Sequence, residues 1–323
     1  MEPILVTGGA GFIGSHVCKK LLEKGYRVVC VDNLNDYYNP DIKKKNVEHL
    51  CAHAEFVFYH ADILDVRALD IVFEKEHPTR IIHLAARAGV RPSLEQPNLY
   101  ANVNIRGTLN VLECARRQGI RRVVFGSSSS VYGLNTTVPF LETDDVANQA
   151  SPYGVSKRAG ELYCYNYHHL YGLSIACLRF FTVYGPSGRP DMAPYKFTKL
   201  ISEGKSIELF GDGTSQRDYT YVDDIVQGVV AALEHPDIGF EIINLGDSRP
   251  VPLKQFIAIT EEAVGKKASI VHQPFQHGDV PVTFANIEKA RALLGYAPET
   301  PLEQGMAHVV AWFNEQKKKK QEK

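Results

Sequence analysis

The chain has 323 residues, of which 44% are hydrophobic and 23% charged, so it can bury the cores of a globular protein of two domains. A formal net charge of -1 provides no excess of Lys and Arg to neutralise phosphates, which excludes a nucleic-acid polymer as the main partner. The six cysteines form no C-x-x-C pair, so we expect reduced thiols and no metal site. No stretch is apolar and long enough to span a membrane, and no basic signal peptide precedes the first strand. We therefore expect a cytoplasmic protein with no membrane partner.

The start of the chain predicts a strand, a glycine-rich turn and a helix. Residues 3–7 are an apolar run, and residues 16–24 have helical periodicity. Between them, Gly8, Gly11 and Gly14 let the backbone turn tightly and approach a pyrophosphate, whose charge can rest on the helix N-terminus. On its own this pattern is weak, because a glycine-rich turn is often only a turn.

A second strand supports a dinucleotide-binding site. Residues 27–31 are rich in β-branched side chains and are followed by Asp32, 18 residues after Gly14. A carboxylate in this place accepts hydrogen bonds from the adenosine ribose and would repel a 2′-phosphate. The sequence therefore predicts NAD in preference to NADP.

Strand-like and helical runs then alternate along the chain. Strands are predicted at 55–59, 80–84, 121–125 and 174–180, and helices at 66–76, 99–118 and 152–171. This alternation predicts an α/β fold with a doubly wound parallel sheet of the Rossmann type. Ligands of such sheets bind at the carboxyl ends of the strands, so Asp62, residues 85–87 and residues 127–130 should line a crevice.

A domain boundary is predicted after Phe180, where glycines and prolines crowd between residues 185 and 194. Residues 1–180 would form the cofactor domain and residues 181–316 a smaller C-terminal α/β substrate lobe, some of whose elements can return to the first domain. Its predicted elements are strands at 207–210 and 241–245, a helix at 223–234 and a last helix ending near Trp312. The lysine-rich residues 317–323 are predicted to be a disordered tail.

The segment from Ser151 to Lys157 carries the chemistry. If Pro152 begins a helix, Tyr153 and Lys157 lie four residues apart on one face. Tyrosine titrates near 10, so a tyrosine base at neutral pH needs a pKa lowered by roughly 3 units. One cation lowers it by about 1 to 3 units, so a second positive charge, such as an oxidised nicotinamide ring, would complete the shift.

These motifs together resemble the extended short-chain dehydrogenase/reductase family and, within it, the nucleotide-sugar 4-epimerases. The resemblance covers nearly the whole chain, from the glycine turn through Tyr153 and Lys157 to the segment 178–186. It implies a tightly held NAD that is regenerated in each cycle. The implied cofactor residues are Gly8, Gly11, Phe12, Ile13, Gly14, Asp32, Asn33, Asp62, Ile63, Leu84, Ala85, Ala86, Asn104, Tyr153, Lys157 and Phe181.

The chemistry follows from the same residues. A Tyr153 phenolate removes a sugar hydroxyl proton while the hydrogen on that carbon leaves as hydride to NAD, and Lys157 keeps the phenolate charged. Ser128 and Ser130 match the family's catalytic and adjacent positions, and Ser129 between them is a further candidate. A serine cluster is more often a polar turn, but this one follows a strand end. Epimerisation requires that the ketone turn over and take the hydride back on its other face.

The substrate is predicted from departures within the family. Dehydratases of the family carry an Asp-Glu pair where this chain has Ser129 and Ser130, so dehydration is not expected. The segments 32–38 and 182–192 resemble the UDP-glucuronate 4-epimerase branch, in which Thr182 and the planar fork of Arg189 would bind the sugar carboxylate. The resemblance further assigns Arg91, Arg217 and Asp279 to the UDP-sugar.

Several alternatives stay open at this stage. Gln276 stands where many UDP-galactose 4-epimerases have arginine, which is a departure from those enzymes. The motifs are nevertheless compatible with 4-epimerisation of UDP-glucose or UDP-N-acetylglucosamine, and with decarboxylation of UDP-glucuronate. A non-catalytic NAD-sensing regulator is a distant alternative, because fold alone does not prove activity. The resemblance also implies a homodimer formed through the helices at 99–118 and 152–171, where Leu162, Tyr163, Tyr167 and Leu170 fit either an interface or the core.

Overall fold

The computed structural model of the chain describes residues 2–274 and 281–321. Its strands, in chain order, are β1 (Pro3–Thr7), β2 (Arg27–Asp32), β3 (Phe56–His60), β4 (Arg80–His83), β5 (Arg122–Ser128), β6 (Ser174–Phe180), β7 (Thr182–Tyr184), β8 (Ile207–Phe210), β9 (Gln216–Tyr221), β10 (Phe240–Leu245), β11 (Pro250–Pro252), β12 (Ile270–Gln273) and β13 (Val282–Thr283).

The α-helices are α1 (Phe12–Glu23), α2 (Pro40–Glu48), α3 (Val66–Glu76), α4 (Val90–Glu95), α5 (Pro97–Tyr100), α6 (Gly107–Arg117), α7 (Pro152–Tyr171), α8 (Ala193–Ser202), α9 (Val222–Glu234), α10 (Leu253–Val264), α11 (Glu288–Leu294) and α12 (Leu302–Gln321). A π-helical segment, Ala101–Arg106, joins α5 to α6. Among the described residues, no helix is apolar over a length that could cross a bilayer.

A parallel sheet of seven strands forms the centre of the fold, in the order β10-β6-β5-β4-β1-β2-β3. Its inner strands are buried on both faces; Val28, Val29, Cys30 and Val31 of β2 are all inaccessible to solvent. Continuous apolar runs of this kind suit strands that helices cover on both sides. The predicted doubly wound parallel sheet is therefore confirmed, and its strand order reverses beside β1, where such sheets bind ligands.

The large sheet is completed by residues from the second half of the chain. Strand β10 pairs in parallel with β6, from Phe240 opposite Ile175 to Leu245 opposite Phe180. Helix α9 packs against α1 and against strands β5 and β6 of this sheet. The segment 222–245 thus belongs to the sheet that carries the glycine turn.

The remaining elements form the smaller lobe. Strand β9 pairs with β7, β11 and β13, while β8 and β12 form a separate parallel pair. Stacking of Tyr219 on Phe256, with ring centroids 4.3 Å apart, joins the lobe sheet to α10. The apolar core of the lobe is continuous with the core on one face of the large sheet, since both belong to one cluster of buried side chains.

Two sequence predictions need correction. Helix α1 begins at Phe12 rather than at residue 16, because Gly11 in extended conformation caps it directly and the apolar face starts at Phe12. Helix α12 continues to Gln321, so residues 317–321 are helical and not disordered. Lysine is a good helix former, and positive charge at a helix C-terminus interacts favourably with the helix dipole.

Candidate functional site

A cavity lies at the carboxyl ends of the central strands, between the large sheet and the lobe. Of the predicted cofactor-binding and catalytic residues, those that line it are Gly8, Gly11, Phe12, Ile13, Gly14, Asp32, Asn33, Asp62, Ile63, Leu84, Ala85, Ala86, Ser128, Ser129, Ser130, Tyr153, Lys157 and Phe181. Thr182 and Arg189, predicted to bind substrate, line the same cavity. The fold thus brings both predicted groups to one place.

The glycine turn forms one end of the cavity. Gly8 has a φ of 73°, and a Cβ there would lie 2.6 Å from the Ala85 nitrogen. A Cβ on Gly14 would lie 2.2 Å from the Gly8 oxygen. Gly11 caps α1 without any side-chain hydrogen bond, which leaves the first N–H groups of the helix for a ligand. This cradle fits the pyrophosphate of a dinucleotide.

Asp32 follows the turn at the end of β2. Its Oδ2 accepts a hydrogen bond from Ala10 N at 3.1 Å, and its Oδ1 accepts one from Leu34 N at 2.8 Å. Burial raises the pKa of Asp32, while the Leu34 N–H and the charge of Lys43 act against that rise. Lys43 is itself buried, and its Nζ donates to the oxygens of Asn35 at 3.0 and 2.8 Å. The carboxylate is therefore held in a fixed orientation at the rim expected to bind ribose.

Tyr153 and Lys157 lie on one face of α7, as predicted. The helix begins at Pro152, and the Ser151 hydroxyl caps it by accepting a hydrogen bond from Gly154 N at 3.1 Å. Lys157 is buried and donates from Nζ to the Gly126 carbonyl at 2.6 Å. This bond fixes the ammonium at the end of β5, one helical turn from the Tyr153 ring.

The protein alone does not make Tyr153 a phenolate at neutral pH. Burial raises the pKa of Tyr153, and a hydrogen bond with Ser128 and the charge of Arg189 only partly oppose it. Burial also lowers the pKa of Lys157 to about 8, so the lysine keeps its proton at pH 7. A further positive charge is needed to make the tyrosine a base, in agreement with the requirement derived from the sequence.

The three serines have different surroundings. Ser128 ends β5, donates from Oγ to Ser130 Oγ at 3.2 Å and accepts from Ser130 N at 3.1 Å. Ser128 also acts to lower the pKa of Tyr153, so it is the serine of the three that influences the tyrosine. Ser130 supports it through the turn Ser129–Tyr132.

A buried ion pair lies behind α7. Glu161 accepts hydrogen bonds from Arg179 Nε at 2.8 Å and Nη2 at 2.9 Å, and from the Ser127 hydroxyl at 2.7 Å. Arg158 donates a fourth hydrogen bond to Glu161 at 3.0 Å. Glu161 and Arg179 are 0% and 1% exposed, so this network joins α7, β5 and β6 in the core, one turn after Lys157.

The lobe end of the cavity is formed by Thr182 and Arg189. Arg189 donates to Asp191 from Nε at 3.1 Å and from Nη2 at 2.5 Å. Its guanidinium also lies 5.3 Å from the centre of the Tyr37 ring. Burial acts to lower the pKa of Arg189, but Asp191 raises it on balance, so the guanidinium is charged. A cation thus faces the cavity near Tyr153.

Other predicted residues are placed elsewhere. Asn104 does not line the cavity; its side chain bonds both backbone groups of Arg87, at 2.7 and 2.9 Å, and supports the wall from behind. Arg91 packs on Phe210 at 5.2 Å, and Arg217 Nη1 donates to the Gln216 carbonyl at 2.8 Å. Asp279 and Gln276 lie outside the described residues. The roles given to these side chains stay predictions.

Several cavity residues were not chosen from the sequence. Tyr37, Tyr38, Lys43, Gly89 and Met192 all line it. The signal for Lys43 is concealed by the run of three lysines at 43–45, which looks like a solvated helix face. Only the fold shows that Lys43 is buried, whereas Lys44 and Lys45 are exposed.

Comparison with known proteins gives a consistent picture. Residues 4–246 match the NAD dependent epimerase/dehydratase family. The chain is 47% identical over 312 residues to a UDP-glucuronate 4-epimerase of Thermodesulfobacterium geofontis, covering 96% of each. The crystal structure of UDP-glucuronic acid 4-epimerase from Bacillus cereus, with UDP-glucuronic acid and NAD, superposes with a TM-score of 0.92 at 36% identity, covering 97% of this chain and 99% of that one. UDP-glucose 4-epimerase of Thermotoga maritima, with UDP-glucose, gives 0.89 at 35% identity and the same coverages.

Proposed function

Since this chain belongs to the NAD-dependent epimerase/dehydratase family, we propose that it is an NAD-dependent UDP-sugar 4-epimerase acting on UDP-glucuronate. The predicted family resemblance is confirmed by these relationships. The observation that supports the proposal most is the single cavity that joins the glycine turn and Asp32, the pair Tyr153 and Lys157, and the cation Arg189. The product would be UDP-galacturonate, formed through a transient 4-keto sugar.

Proton transfer is the part of the reaction that this chain's residues perform. The Tyr153 oxygen takes the proton of the C4 hydroxyl and later returns it, and Ser128 hydrogen-bonds the same sugar oxygen. Lys157, held by the Gly126 carbonyl, lowers the energy of the phenolate by its charge. NAD, when bound, accepts the hydrogen of C4 as hydride and gives it back, and its positive ring supplies the second cation that Tyr153 needs.

The glycine turn, Asp32 and Asp62 hold NAD in this proposal. The uncapped start of α1 binds the pyrophosphate, and Asp32 binds the adenosine ribose. Asn33 donates to Asp62 at 2.7 Å, which holds the two loops of the adenine end together. The buried wall behind them fits a cofactor that stays bound between turnovers.

Arg189 and Thr182 favour a uronate over a neutral sugar. A guanidinium in this position can hold a sugar carboxylate by charge-assisted hydrogen bonds, which are stronger than those that a neutral hydroxymethyl group can make. The same grip opposes decarboxylation of the 4-keto acid, because carbon dioxide leaves most readily when the carboxylate stands perpendicular to the ketone plane. The outcome would then be epimerisation.

One assay tests the proposal. The purified holoenzyme is incubated in turn with UDP-glucuronate, UDP-glucose and UDP-N-acetylglucosamine, and products are read by proton NMR. UDP-galacturonate is expected from the first substrate, at a rate at least ten times that with the other two. A UDP-pentose would identify a decarboxylase, and unchanged sugars with bound NAD would identify a sensor. The Tyr153→Phe variant, which keeps the ring, is the matched inactive control.

We also propose a cytoplasmic homodimer. On α7, Leu162, Tyr163 and Leu170 are 52%, 36% and 56% exposed, whereas Tyr167 is buried. An exposed apolar stripe on a long helix suits pairing with a second copy. Light scattering after gel filtration should give twice the monomer mass, and the double variant Leu162→Asp/Leu170→Asp should give the monomer mass. A monomeric parent protein would contradict this interface.

A further inference from the structure

We propose that Tyr37 is a positioning residue that orients Arg189 and so sets the preference for a sugar that carries a carboxylate. Tyr37 lies in the loop between β2 and α2, in the half of the molecule that binds the cofactor, yet its hydroxyl reaches the arginine at the lobe end of the cavity. This inference rests on the proposed function, because it concerns the carboxylate-binding part of the same site.

The hydroxyl closes a ring of hydrogen bonds among three side chains, those of Tyr37, Arg189 and Asp191. The Tyr37 hydroxyl accepts from Arg189 Nη2 at 3.3 Å and donates to Asp191 Oδ2 at 3.2 Å, while Arg189 also donates to Asp191 from Nε and Nη2. Each of the three side chains therefore contacts the other two. A flexible arginine held in this way loses its freedom to rotate before a ligand arrives, which reduces the entropy cost of binding.

The ring leaves one part of the guanidinium for a ligand. Nε and Nη2 of Arg189 are used within the ring, and among residues 2–274 and 281–321 Nη1 has no hydrogen-bond partner. Arg189 lines the cavity and its side chain is 20% exposed. An anionic group in the cavity would thus meet a guanidinium whose other edge is already fixed.

The position of Tyr37 is itself closely determined. Gly89 has a φ of 98°, and a Cβ on it would lie 2.5 Å from the Tyr37 hydroxyl, so the tyrosine fits against bare backbone. The Arg87 guanidinium lies 5.8 Å from the centre of the Tyr37 ring. Lys43 also holds this loop, because its ammonium donates two hydrogen bonds to oxygens of Asn35. The loop that begins at Asp32 therefore supports Arg189 as well as the cofactor end.

Charge at the ring favours this positioning role over a direct one. Burial acts to raise the pKa of Asp191, but the hydrogen bond from Arg189 lowers it on balance, so the pair is ionised. Burial raises the pKa of Tyr37, which keeps the phenol neutral and able to donate. Removing the hydroxyl changes no charge; it removes two hydrogen bonds that fix the arginine.

The test is a double-mutant cycle on ligand affinity. All proteins carry Tyr153→Phe to block turnover, retain NAD, and are titrated calorimetrically with UDP-glucuronate and with UDP-glucose. Tyr37→Phe should weaken UDP-glucuronate binding about 5- to 10-fold, since it removes neutral hydrogen bonds that support a charged one, and should change UDP-glucose binding less than 2-fold. When Arg189→Ala is already present, Tyr37→Phe should have no further effect on UDP-glucuronate.

Each result decides the question. Equal losses for both ligands, or an undiminished loss in the Arg189→Ala background, would show that Tyr37 does not act through Arg189. A parent protein that binds UDP-glucuronate no better than UDP-glucose would overturn the proposed substrate, and the inference with it. A parent with that preference and a Tyr37→Phe variant that retains it would overturn the inference alone.

Tyr26→Phe is the matched control. It also removes a tyrosine hydroxyl that donates to a carboxylate, Glu234 Oε1 at 3.0 Å, but at the opposite end of the sheet. Its ratio of affinities for the two ligands should equal that of the parent. Should Tyr37→Phe fold poorly, Tyr37→Leu removes the same hydroxyl without a change of charge, and its ratio should fall as well; an unchanged ratio there contradicts the proposed ring.

Discussion

Removal of Arg179 is expected to destabilise the protein severely, while removal of the whole ion pair is not. Arg179→Met would leave the carboxylate of Glu161, which is 0% exposed, with Ser127 and the partly exposed Arg158 as its remaining partners. Breaking a buried pair from one side costs about 3 to 5 kcal/mol, because the carboxylate that stays in the core keeps only the partly exposed Arg158 as a counter-charge. Domains are stable by roughly 5 to 15 kcal/mol, so this loss is a large fraction of the total.

The double variant Glu161→Leu/Arg179→Met separates charge from packing. Two apolar side chains of similar volume need no solvation, so the double variant should recover at least half of the loss seen for Arg179→Met. The measurement is urea unfolding of the parent, both single variants and the double variant, each with NAD bound. A cost below about 1 kcal/mol for Arg179→Met, the value of an exposed pair, would refute the reasoning.

The same pair affects the site through Lys157. Glu161 lies one turn further along α7, and its charge raises the pKa of Lys157, which burial has lowered to about 8. Glu161→Gln should therefore lower the pKa of Lys157 further, and the lysine would lose its proton at a lower pH. The titration of Lys157 is monitored by NMR of its side chain. The same pKa of Lys157 in the parent and in Glu161→Gln would show that the two groups are not coupled.

The remaining predictions concern residues that line the cavity. Asp32→Ala should abolish the preference for NAD over NADP, because the carboxylate that repels a 2′-phosphate is lost; a preserved ratio of dissociation constants would contradict its role. Tyr153→Phe should retain NAD but lower turnover by several powers of ten, and near-normal turnover would move the proton transfer elsewhere. Lys157→Met should shift the acid limb of the pH–rate profile upward by about 1 to 3 units, since a lost cation raises the pKa of Tyr153; an unshifted limb counts against the pairing. Arg189→Ala should slow turnover of UDP-glucuronate and raise the share of UDP-pentose, measured by NMR, about 10- to 100-fold. The reason is that a charge-assisted clamp contributes roughly 1.5 to 3 kcal/mol to the partitioning of the 4-keto intermediate between epimerisation and decarboxylation.

The sequence predicted the parts of the fold that depend on local pattern. Continuous β-branched runs and the glycine turn mark the strands of the large sheet. The helix from Pro152 to Tyr171 is observed with its predicted bounds, and Pro152 marks its start. The return of Phe240–Leu245 to the sheet was not assigned, since an apolar strand gives no information about which strand it pairs with.

The residues of the candidate site that belong to sequence motifs were predicted, and those that only the tertiary structure brings to the site were missed. Tyr153 and Lys157 share a helix, so their spacing indicates a common face. Tyr37 and Arg189 are 152 residues apart in the chain, and no periodicity relates them. Only the packing of the loop after β2 against the start of the lobe brings these side chains together.

The position of β10 has a consequence for making chimeras of this protein. An exchange of everything after Phe180 with a relative would replace the substrate lobe, but also the strand that pairs with β6 and the helix α9 that covers it. Such a hybrid would join a foreign edge strand and helix to the native sheet. A graft that keeps residues 222–245 would replace residues 181–221 and 246–321 as separate pieces, and its second piece would have to pack α11 against the native β10 and α9. Recombination between relatives therefore needs crossovers on both sides of residues 222–245 as well as after Phe180.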